Sequence, residues 1–401
     1  MKIALVAPVN PYVSCGATNN IVGLKDGFEK LGHEAFLIGF RKVIGDKKLE
    51  KKDAGMKNII QVPYYNIVPR RYYSIRDFFD RRWQFAATRA LQKLHRKEKI
   101  DIIVMRFGYY PYFTMNAMKE DGFSGKIAVL SYPFIVGQSQ LGRISKRVKN
   151  DIRKFEKLSL IEADTILAYS PPVADIIASD YGIPRGEISI TRPGADLELF
   201  RTDKNYRKTL GWDQNVIIGF IGSLIRWQGI EHLIGAMPRV LEKNRKALLV
   251  IIGDAPDARY RDELVGLAKK LDIAEKVKFY PPVPRDEVPL YLNSFDVFAA
   301  PYAKTDPPMS IVFPIKCAEA IAAGCRIVTT DQPGLSWIIK DGENGMLAEP
   351  NSAESIAEKI LCITENNEVG ARLSAGARKT SGLFDWKVIA KDAVDSIMKN
   401  G

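Results

Sequence analysis

The chain has 401 residues, of which 46% are hydrophobic and 26% charged, and its formal net charge is +12. This composition is typical of a globular protein and excludes a disordered, collagenous or disulfide-stapled chain, while the length predicts two or three domains. The longest apolar runs are shorter than the ~18 residues of a membrane span. The apolar run at the amino terminus is also too short for a signal peptide. We therefore expect a cytoplasmic protein whose four cysteines are reduced.

The positive charge is concentrated in the first half of the chain. Residues 1–200 hold 32 Lys and Arg against 21 Asp and Glu, whereas residues 201–401 hold 27 against 26. This asymmetry indicates two domains with different partners. A membrane surface, a phosphorylated substrate and nucleic acid are the anionic partners that such a charge suits.

The first half alternates short apolar runs with amphipathic stretches. Strands are predicted at 2–7, 34–39, 59–63, 101–105, 126–131, 165–169 and 188–191, and helices at 18–31, 75–98 and about 143–162. Apolar runs that are buried on both faces and separated by helices predict a parallel sheet with right-handed crossovers.

The pattern breaks between residues 192 and 214 and then restarts. Strands are predicted at 216–221, 247–252, 277–280, 297–300 and 326–330, and helices at 230–244, 259–271, 286–293, 315–323, 352–364 and about 386–399. We therefore predict an α/β protein of two doubly wound, Rossmann-like domains, 1–200 and 201–385, with the last helix returning to the first domain. Ligands of such sheets bind beyond the carboxyl ends of the strands, so we expect the site in a cleft between facing domains.

The strongest motif lies between residues 306 and 345, where a proline-rich loop enters a helix. Lys316 and Glu319 are spaced so that both lie on one face of that helix. The amino-terminal end of a helix favours an anion, and a lysine there would reinforce a phosphate site. A carboxylate one turn later could accept hydrogen bonds from two ribose hydroxyls. A surface ion pair between the two side chains explains the same spacing.

These residues resemble the donor-binding segment of the family 4 glycosyltransferases, which have the GT-B fold. The run from Glu319 to Val328 is similar to the second glutamate of the family's Glu-x7-Glu and the Ala-Met-Ala-x-Gly-x-Pro-Val-Val that follows. Other segments resemble the family in the same order along the chain: 162–170, 193–200, 222–236, 251–256, 279–283 and 291–302. Each match is short, but their shared order and spacing are specific.

The resemblance implies a retaining, metal-independent glycosyltransferase of the hexosyltransferase type that acts in polysaccharide biosynthesis. Its donor would be a nucleotide diphosphate sugar, which is a substrate and not a cofactor, and its acceptor a lipid-linked molecule or a saccharide. One alternative is a non-catalytic GT-B subunit that binds a nucleotide sugar or a glycan. A sugar-nucleotide epimerase, which shares the fold, is a further alternative.

The sequence departs from the family at five positions. Ile311 replaces the first glutamate of the pair, and Ser223 and Gln228 replace the arginine and lysine that bind the diphosphate. Trp337 replaces a glutamate that often follows in the family, and Arg106 replaces a histidine of the first domain. These replacements favour the non-catalytic alternative unless other cations serve the diphosphate.

We predict that Arg226 and Lys316 bind the diphosphate in place of the missing cations, and that they are catalytic together with Arg106. The predicted donor-binding residues are Gly222, Ser223, Gln228, Gly253, Asp254, Val283, Pro314, Ile315 and Glu319.

The loop over residues 8–17 resembles the glycine-rich first loop of the family, which lies under the acceptor. Ser14, Gly16 and Ala17 are therefore predicted to contact the acceptor, and Gly16 would allow the backbone to approach closely. An ordinary strand-to-helix connection would explain the same composition. With three histidines and no metal-binding motif, no metal site is expected.

The segment 70–99 carries ten Lys and Arg against three acidic residues. An apolar stripe at helical spacing runs along it: Phe79, Trp83, Ala87, Leu91 and Leu94. Basic residues lie elsewhere around the helix: Arg81, Arg82, Arg89, Lys93 and Arg96. This pattern is typical of a helix on an anionic membrane, here the inner face of the plasma membrane. The alternative is that the stripe packs on the sheet. Nucleic acid is not expected.

Overall fold

The computed structural model describes residues 1–12, 15–42, 56–64, 73–106, 110–131, 146–305 and 311–399. The chain divides into two compact units, Met1–Arg192 with Trp386–Gly401, and Pro193–Asp385. The division at Pro193 lies seven residues before the predicted boundary at residue 200, and Ala195 and Phe200 are buried in a hydrophobic cluster of the second unit.

The described part of the first unit is a seven-stranded parallel sheet with helices. Its strands are β1 (Lys2–Val6), β2 (Glu34–Lys42), β3 (Ile59–Tyr64), β4 (Ile102–Arg106), β5 (Lys126–Ser131), β6 (Thr165–Ala168) and β7 (Ile188–Ile190). Its helices are α1 (Gly16–Lys30), α2 (Tyr73–Glu98), α3 (Tyr110–Glu120), α4 (Lys146–Ile161) and α5 (Pro171–Tyr181), joined by α14 (Trp386–Lys399) at the end of the chain. The strand order is β3-β2-β1-β4-β5-β6-β7.

Helix α14 packs closely against α1. A Cβ atom at Gly23 would lie 2.0 Å from Cε2 of Trp386, and one at Gly27 would lie 2.2 Å from the Trp386 carbonyl oxygen. Small residues on α1 thus allow the indole to reach the helix backbone. Arg192, at the end of the first stretch of this unit, also bonds Asp392 on α14 at 2.8 Å.

The apolar stripe of α2 faces the interior of the protein. Trp83, Ala87, Leu91 and Leu94 are all at most 8% exposed, and α2 packs on β1, β2 and β3. The side chain of Phe79 lies outside the described residues. A membrane-facing stripe is therefore the wrong prediction, because the sheet needs this apolar face to complete its core.

The described part of the second unit is a six-stranded parallel sheet with helices. Its strands are β8 (Val216–Ile221), β9 (Ala247–Ile252), β10 (Val277–Tyr280), β11 (Val297–Ala300), β12 (Ile327–Thr330) and β13 (Met346–Ala348), in the order β10-β9-β8-β11-β12-β13. Its helices are α6 (Leu197–Phe200), α7 (Ile230–Lys243), α8 (Ala258–Lys270), α9 (Val288–Leu292), α10 (Ile315–Ala322), α11 (Pro333–Ser336), α12 (Ala353–Thr364) and α13 (Asn367–Thr380).

Both units have the predicted alternation of strands and helices, and both described sheets are parallel throughout. The first helix begins two residues before its predicted start at residue 18. Cys15 occupies the cap, α1 starts at Gly16, and Thr18 donates to the carbonyl of Asn10. Within the described ranges, none of the helices is long and apolar enough to cross a membrane.

Candidate functional site

Two glycines end neighbouring strands of the second sheet. Gly222 follows β8 and Gly253 follows β9, with φ values of 152° and 147° that favour glycine. The Gly222 amide donates to the carbonyl of Ile252 at 2.9 Å, which keeps the two strand ends together. A Cβ atom at Gly253 would lie 1.9 Å from the Gly222 carbonyl oxygen, so this crossing admits no side chain.

Lys316, in the first turn of α10, reaches these strand ends. A Cβ atom at Gly222 would lie 2.2 Å from its Nζ atom. The ammonium donates to Oε1 of Gln228 and lies 4.7 Å from the ring centroid of Phe220 and 5.9 Å from that of Tyr302. Desolvation of the ammonium lowers the pKa of Lys316 to about 8.

The surroundings of Lys316 can receive an anion. Lys316 lies in the first turn of α10, and the amino-terminal end of a helix favours an anion. Pro314 is the residue before the helix, and Ile315 is its first residue; both are half-buried. A desolvated ammonium at a glycine crossing stabilises negative charge more strongly than a solvated one.

Glu319 lies one turn farther along α10 and is 7% exposed. Its Oε1 atom accepts from Nη1 of Arg285 at 2.6 Å. Burial raises the pKa of Glu319, and the guanidinium of Arg285 opposes that rise. The predicted ion pair between Lys316 and Glu319 is absent from the described contacts, because Glu319 bonds Arg285 and Lys316 bonds Gln228.

Arg226 is directed toward helix α8. Its Nη2 atom lies 2.7 Å from Oε2 of Glu263, and its guanidinium carbon lies 4.9 Å from the ring centroid of Tyr260. The side chain is 67% exposed. A carboxylate on α8 therefore holds Arg226, and the described contacts of Arg226 do not include Lys316.

The remaining donor-site predictions lie in the same unit. Ser223 and Asp254 are exposed at the strand ends, and the Asp254 carbonyl accepts from the Leu224 amide at 2.8 Å. Val283 follows β10 and packs on the cluster around Trp212.

Two of the replaced positions also lie in this unit. Trp337 donates to the Gly334 carbonyl at 3.1 Å, and Ile311 is half-buried. The indole of Trp337 thus contacts protein backbone where the family often has a carboxylate.

The predicted acceptor residues lie in the first unit. Arg106 ends β4 and is half-buried. Gly16 and Ala17 are the first residues of α1, and Ser14 lies outside the described residues. Arg106, Gly16 and Ala17 follow the strands at the carboxyl edge, where parallel sheets bind ligands.

Sequence reasoning missed Arg285 and the aromatic rings around Lys316. Arg285 lies 34 positions before Glu319, and no local spacing links a turn residue to a distant helix. The sequence indicates Phe220 and Tyr302 only as strand or loop residues of the apolar core. Within the described ranges, no cluster of His, Cys, Asp and Glu could hold a metal ion.

The chain has two Rossmann-like units, and the second carries a cation at its glycine strand ends. These features are characteristic of the GT-B glycosyltransferases. The model "Glycosyltransferase Family 4" matches residues 15–199, and "Glycosyl transferases group 1" matches residues 202–380. Together the two models cover most of the chain, which belongs to the group 1 glycosyltransferases.

Individual proteins are similar to this chain. An uncharacterized glycosyltransferase of Methanocaldococcus jannaschii is 26% identical over 98% of this chain and 97% of that protein. A D-inositol 3-phosphate glycosyltransferase of Nocardia farcinica is 27% identical over 60% of this chain, and the match spans 54% of that protein. Among solved structures, Anabaena HepE in complex with UDP has a TM-score of 0.75 at 16% identity, with both chains covered fully. HepE has also been solved with UDP-glucose.

Proposed function

We propose that this protein is a retaining, metal-independent glycosyltransferase that moves a hexose from a nucleotide diphosphate sugar. The observation that carries the proposal is the position of Lys316. Its ammonium contacts Gln228, the residue that stands where the family has a diphosphate-binding lysine. In this proposal Lys316 on α10, and not residue 228, supplies the positive charge to the diphosphate. Arg226 is the second proposed cation, and Arg106 the proposed catalytic residue of the first unit.

The chemistry follows from where charge develops. The bond between the sugar and the diphosphate breaks, and the leaving diphosphate gains negative charge in the transition state. An ammonium that is already desolvated stabilises that charge without reorganising. Interactions that strengthen in the transition state raise the rate more than those that bind the ground state. The leaving diphosphate is the proposed acceptor of the proton from the attacking hydroxyl.

Glu319 is the proposed ribose ligand. Arg285 occupies its Oε1 atom, which leaves Oε2 to accept from a ribose hydroxyl. UDP-glucose is the first donor to test, because a protein with the same fold has been solved with it. Release of UDP from UDP-glucose should depend on Lys316, and Lys316→Ala should lower turnover by roughly 10²–10³. Turnover within twofold of the parent would remove Lys316 from the mechanism.

A non-catalytic nucleotide-sugar or glycan subunit is the second candidate. The pairing of Arg226 with Glu263 favours it, since a carboxylate of the protein already neutralises this cation. Measuring nucleoside diphosphate release with and without acceptor separates the two. An enzyme releases it in proportion to acceptor, whereas a binding subunit retains the sugar nucleotide intact.

The proposed acceptor is lipid-linked or a saccharide, and the proposed location is cytoplasmic, with the basic first unit on the inner face of the plasma membrane. Arg81, Arg82, Arg89 and Lys93 of α2 are exposed. The protein should sediment with vesicles of phosphatidylglycerol at low salt and be released as salt rises, because screening acts within about 8 Å at physiological ionic strength. Changing these four residues to glutamine should leave the protein in the supernatant. A parent protein that never sediments would direct the search to soluble acceptors.

A further inference from the structure

A cavity of about 430 Å³ lies between helices α2, α3 and α4 of the first unit. Phe85, Phe113 and Phe155 supply three aromatic walls, and Arg81 and Arg89 also line it. This volume lies within the ~300–1,000 Å³ of pockets that hold small ligands. We call it the α2–α4 groove. Lys316 and Glu319 belong to the other unit, so the groove is not part of the proposed donor site.

The groove keeps large aromatic side chains in contact with solvent. Phe85 is 60% exposed and Phe113 46% exposed. The rings of Phe113 and Phe155 are 4.8 Å apart between centroids, and the guanidinium carbon of Arg89 lies 4.4 Å from the Phe85 centroid. Neighbouring exposed apolar groups of this kind mark an interaction site, since their burial by a ligand is favourable.

The polar groups of the groove are already paired within the protein. Nε2 of Gln84 donates to Thr114, and the hydroxyl of Thr88 donates to the Gln84 carbonyl at 2.9 Å. Nε2 of Gln92 donates to the Ala117 carbonyl at 3.1 Å. These bonds take up part of the hydrogen-bonding capacity of Gln84, Thr88 and Gln92, and the three aromatic rings offer a sugar no hydrogen bonds. The groove therefore suits a hydrocarbon chain better than a saccharide.

The charge around the groove is positive. Helix α2 carries seven Lys and Arg against three acidic residues, and α4 carries six against two. The described residues that line the groove include two arginines and no Asp or Glu. Such a field attracts an anion to the groove. The occupant therefore combines a hydrocarbon chain with a negative group.

We infer that the α2–α4 groove binds the hydrocarbon chain of an anionic lipid, with the negative group against Arg81 and Arg89. Its role in the cell rests on the lipid-linked acceptor and membrane contact proposed above. The binding itself requires neither donor nor acceptor, so it can be measured alone.

The test is calorimetric titration of the full chain with n-decyl phosphate below its critical micelle concentration. Inorganic phosphate and decyl maltoside are the two comparison ligands, because one lacks the chain and the other lacks the charge. Decyl phosphate should bind with one site and at least about tenfold more tightly than either.

Two paired variants separate chain from charge. Phe85→Ala with Phe113→Ala should weaken decyl phosphate binding at least about tenfold, while Ile161→Ala, an exposed apolar residue of α4 that does not line the groove, should leave it unchanged. Arg81→Gln with Arg89→Gln should reduce decyl phosphate to the affinity of decyl maltoside. Arg96→Gln with Lys97→Gln, two exposed residues of the same helix that do not line the groove, is the matched charge control. Thermal unfolding of each variant shows that the fold survives.

Decyl phosphate that binds no better than inorganic phosphate would overturn the inference. So would equal affinity in the parent and in the Phe85→Ala, Phe113→Ala variant, or capture of an acidic amphipathic peptide in preference to decyl phosphate. UDP binding is measured on the same preparations. If Lys316→Ala loses UDP binding but keeps decyl phosphate binding, the two sites are independent of each other.

Discussion

Nη1 of Arg285 donates to Oε1 of Glu319 at 2.6 Å, so the carboxylate proposed for the ribose is held by a cation before any nucleotide arrives. The pair is well shielded, with 9% of the Glu319 side chain and 28% of the Arg285 side chain exposed. The guanidinium also lies 5.6 Å from the centroid of Phe200. Arg285 thus fixes the orientation of Glu319 and counters the cost of burying its charge.

Replacing Arg285 should shift the pH dependence of nucleotide binding. Burial raises the pKa of Glu319 and Arg285 opposes this rise, so Arg285→Gln should raise the pKa further. A protonated Glu319 accepts ribose hydroxyls poorly. As the pH is lowered, the UDP affinity of Arg285→Gln should therefore begin to fall at a higher pH than the UDP affinity of the parent. Arg285→Lys, which keeps the charge, is the control. Parallel profiles of UDP dissociation constant against pH would show that Arg285 acts only on the fold.

Lys316 should give UDP binding a second, alkaline limit. Its pKa is lowered to about 8, so the ammonium is charged below that pH and loses its proton above it. UDP affinity should fall by up to about tenfold per pH unit above pH 8. Lys316→Arg stays charged and should bind UDP with little change between pH 7 and pH 9.5. An identical alkaline fall in both proteins would assign the titration to another group.

The two glycines at the strand ends should respond differently to alanine. In Gly222→Ala the added Cβ meets the end of the Lys316 side chain, and the φ of 152° strains alanine, so the protein should melt at a lower temperature and lose turnover by about the factor of Lys316→Ala. In Gly253→Ala the Cβ meets the Gly222 carbonyl at 1.9 Å, and the protein should unfold at a clearly lower temperature. Gly266→Ala, in open space on α8, should not destabilise the protein. Melting curves and UDP release distinguish the three.

Arg226 becomes available only when Glu263 releases it. Because the pair is exposed, breaking it costs little free energy. Glu263→Gln should therefore strengthen UDP binding by up to about fivefold if Arg226 moves to the diphosphate. The same change in the Arg226→Ala background should have no effect. Equal UDP affinity in Glu263→Gln and the parent would leave Arg226 as a surface residue.

Glu156 should make the stability of the protein depend on pH. This carboxyl on α4 is 0% exposed and accepts from the Tyr181 hydroxyl at 2.6 Å. Burial raises the pKa of Glu156 to about 8 from an ordinary 4.5. Between these values the folded chain keeps a proton that the unfolded chain releases, so stability falls as pH rises, by about 1.4 kcal/mol per unit.

The check is urea unfolding from pH 5 to pH 8 for the parent and Glu156→Gln. The free energy of unfolding of the variant should fall less steeply with pH than that of the parent. Relative to the parent, the variant should therefore be most stable at pH 8. Slopes that coincide would mean that Glu156 is ionised in the folded protein. Arg153 on the same helix favours the charged form, so its removal should extend the parent's loss of stability to higher pH.

Local patterns predicted the strands better than the helices. Val216–Ile221 and Ala247–Ile252 are apolar runs closed by glycine, and the structure has both with the predicted bounds. Helix α13 was not predicted, because few of its residues face the core. Its start depends on the Asn366 side chain, which accepts from the Glu368 and Val369 amides.

Local patterns also could not predict the contacts of the site, because these join residues that are far apart in the chain. A helix entry with Lys316 can be recognised from the residues around it, and the family pattern adds Gln228. The contact between them joins residues 88 positions apart, and it forms only when the fold brings the first turn of α10 to the loop after β8. The direction of Arg226 likewise depends on where α8 places Glu263. Spacing along the chain carries no information on either.

The return of α14 to the first unit has a consequence during synthesis on the ribosome. Trp386 fills the space left by Gly23 and Gly27, yet it is translated after the whole of Pro193–Asp385. The second unit can therefore close while the first still exposes the face of α1 that the indole covers. Assembly in the cell should run from the middle of the chain outward, and a nascent chain without α14 should be the species that chaperones hold.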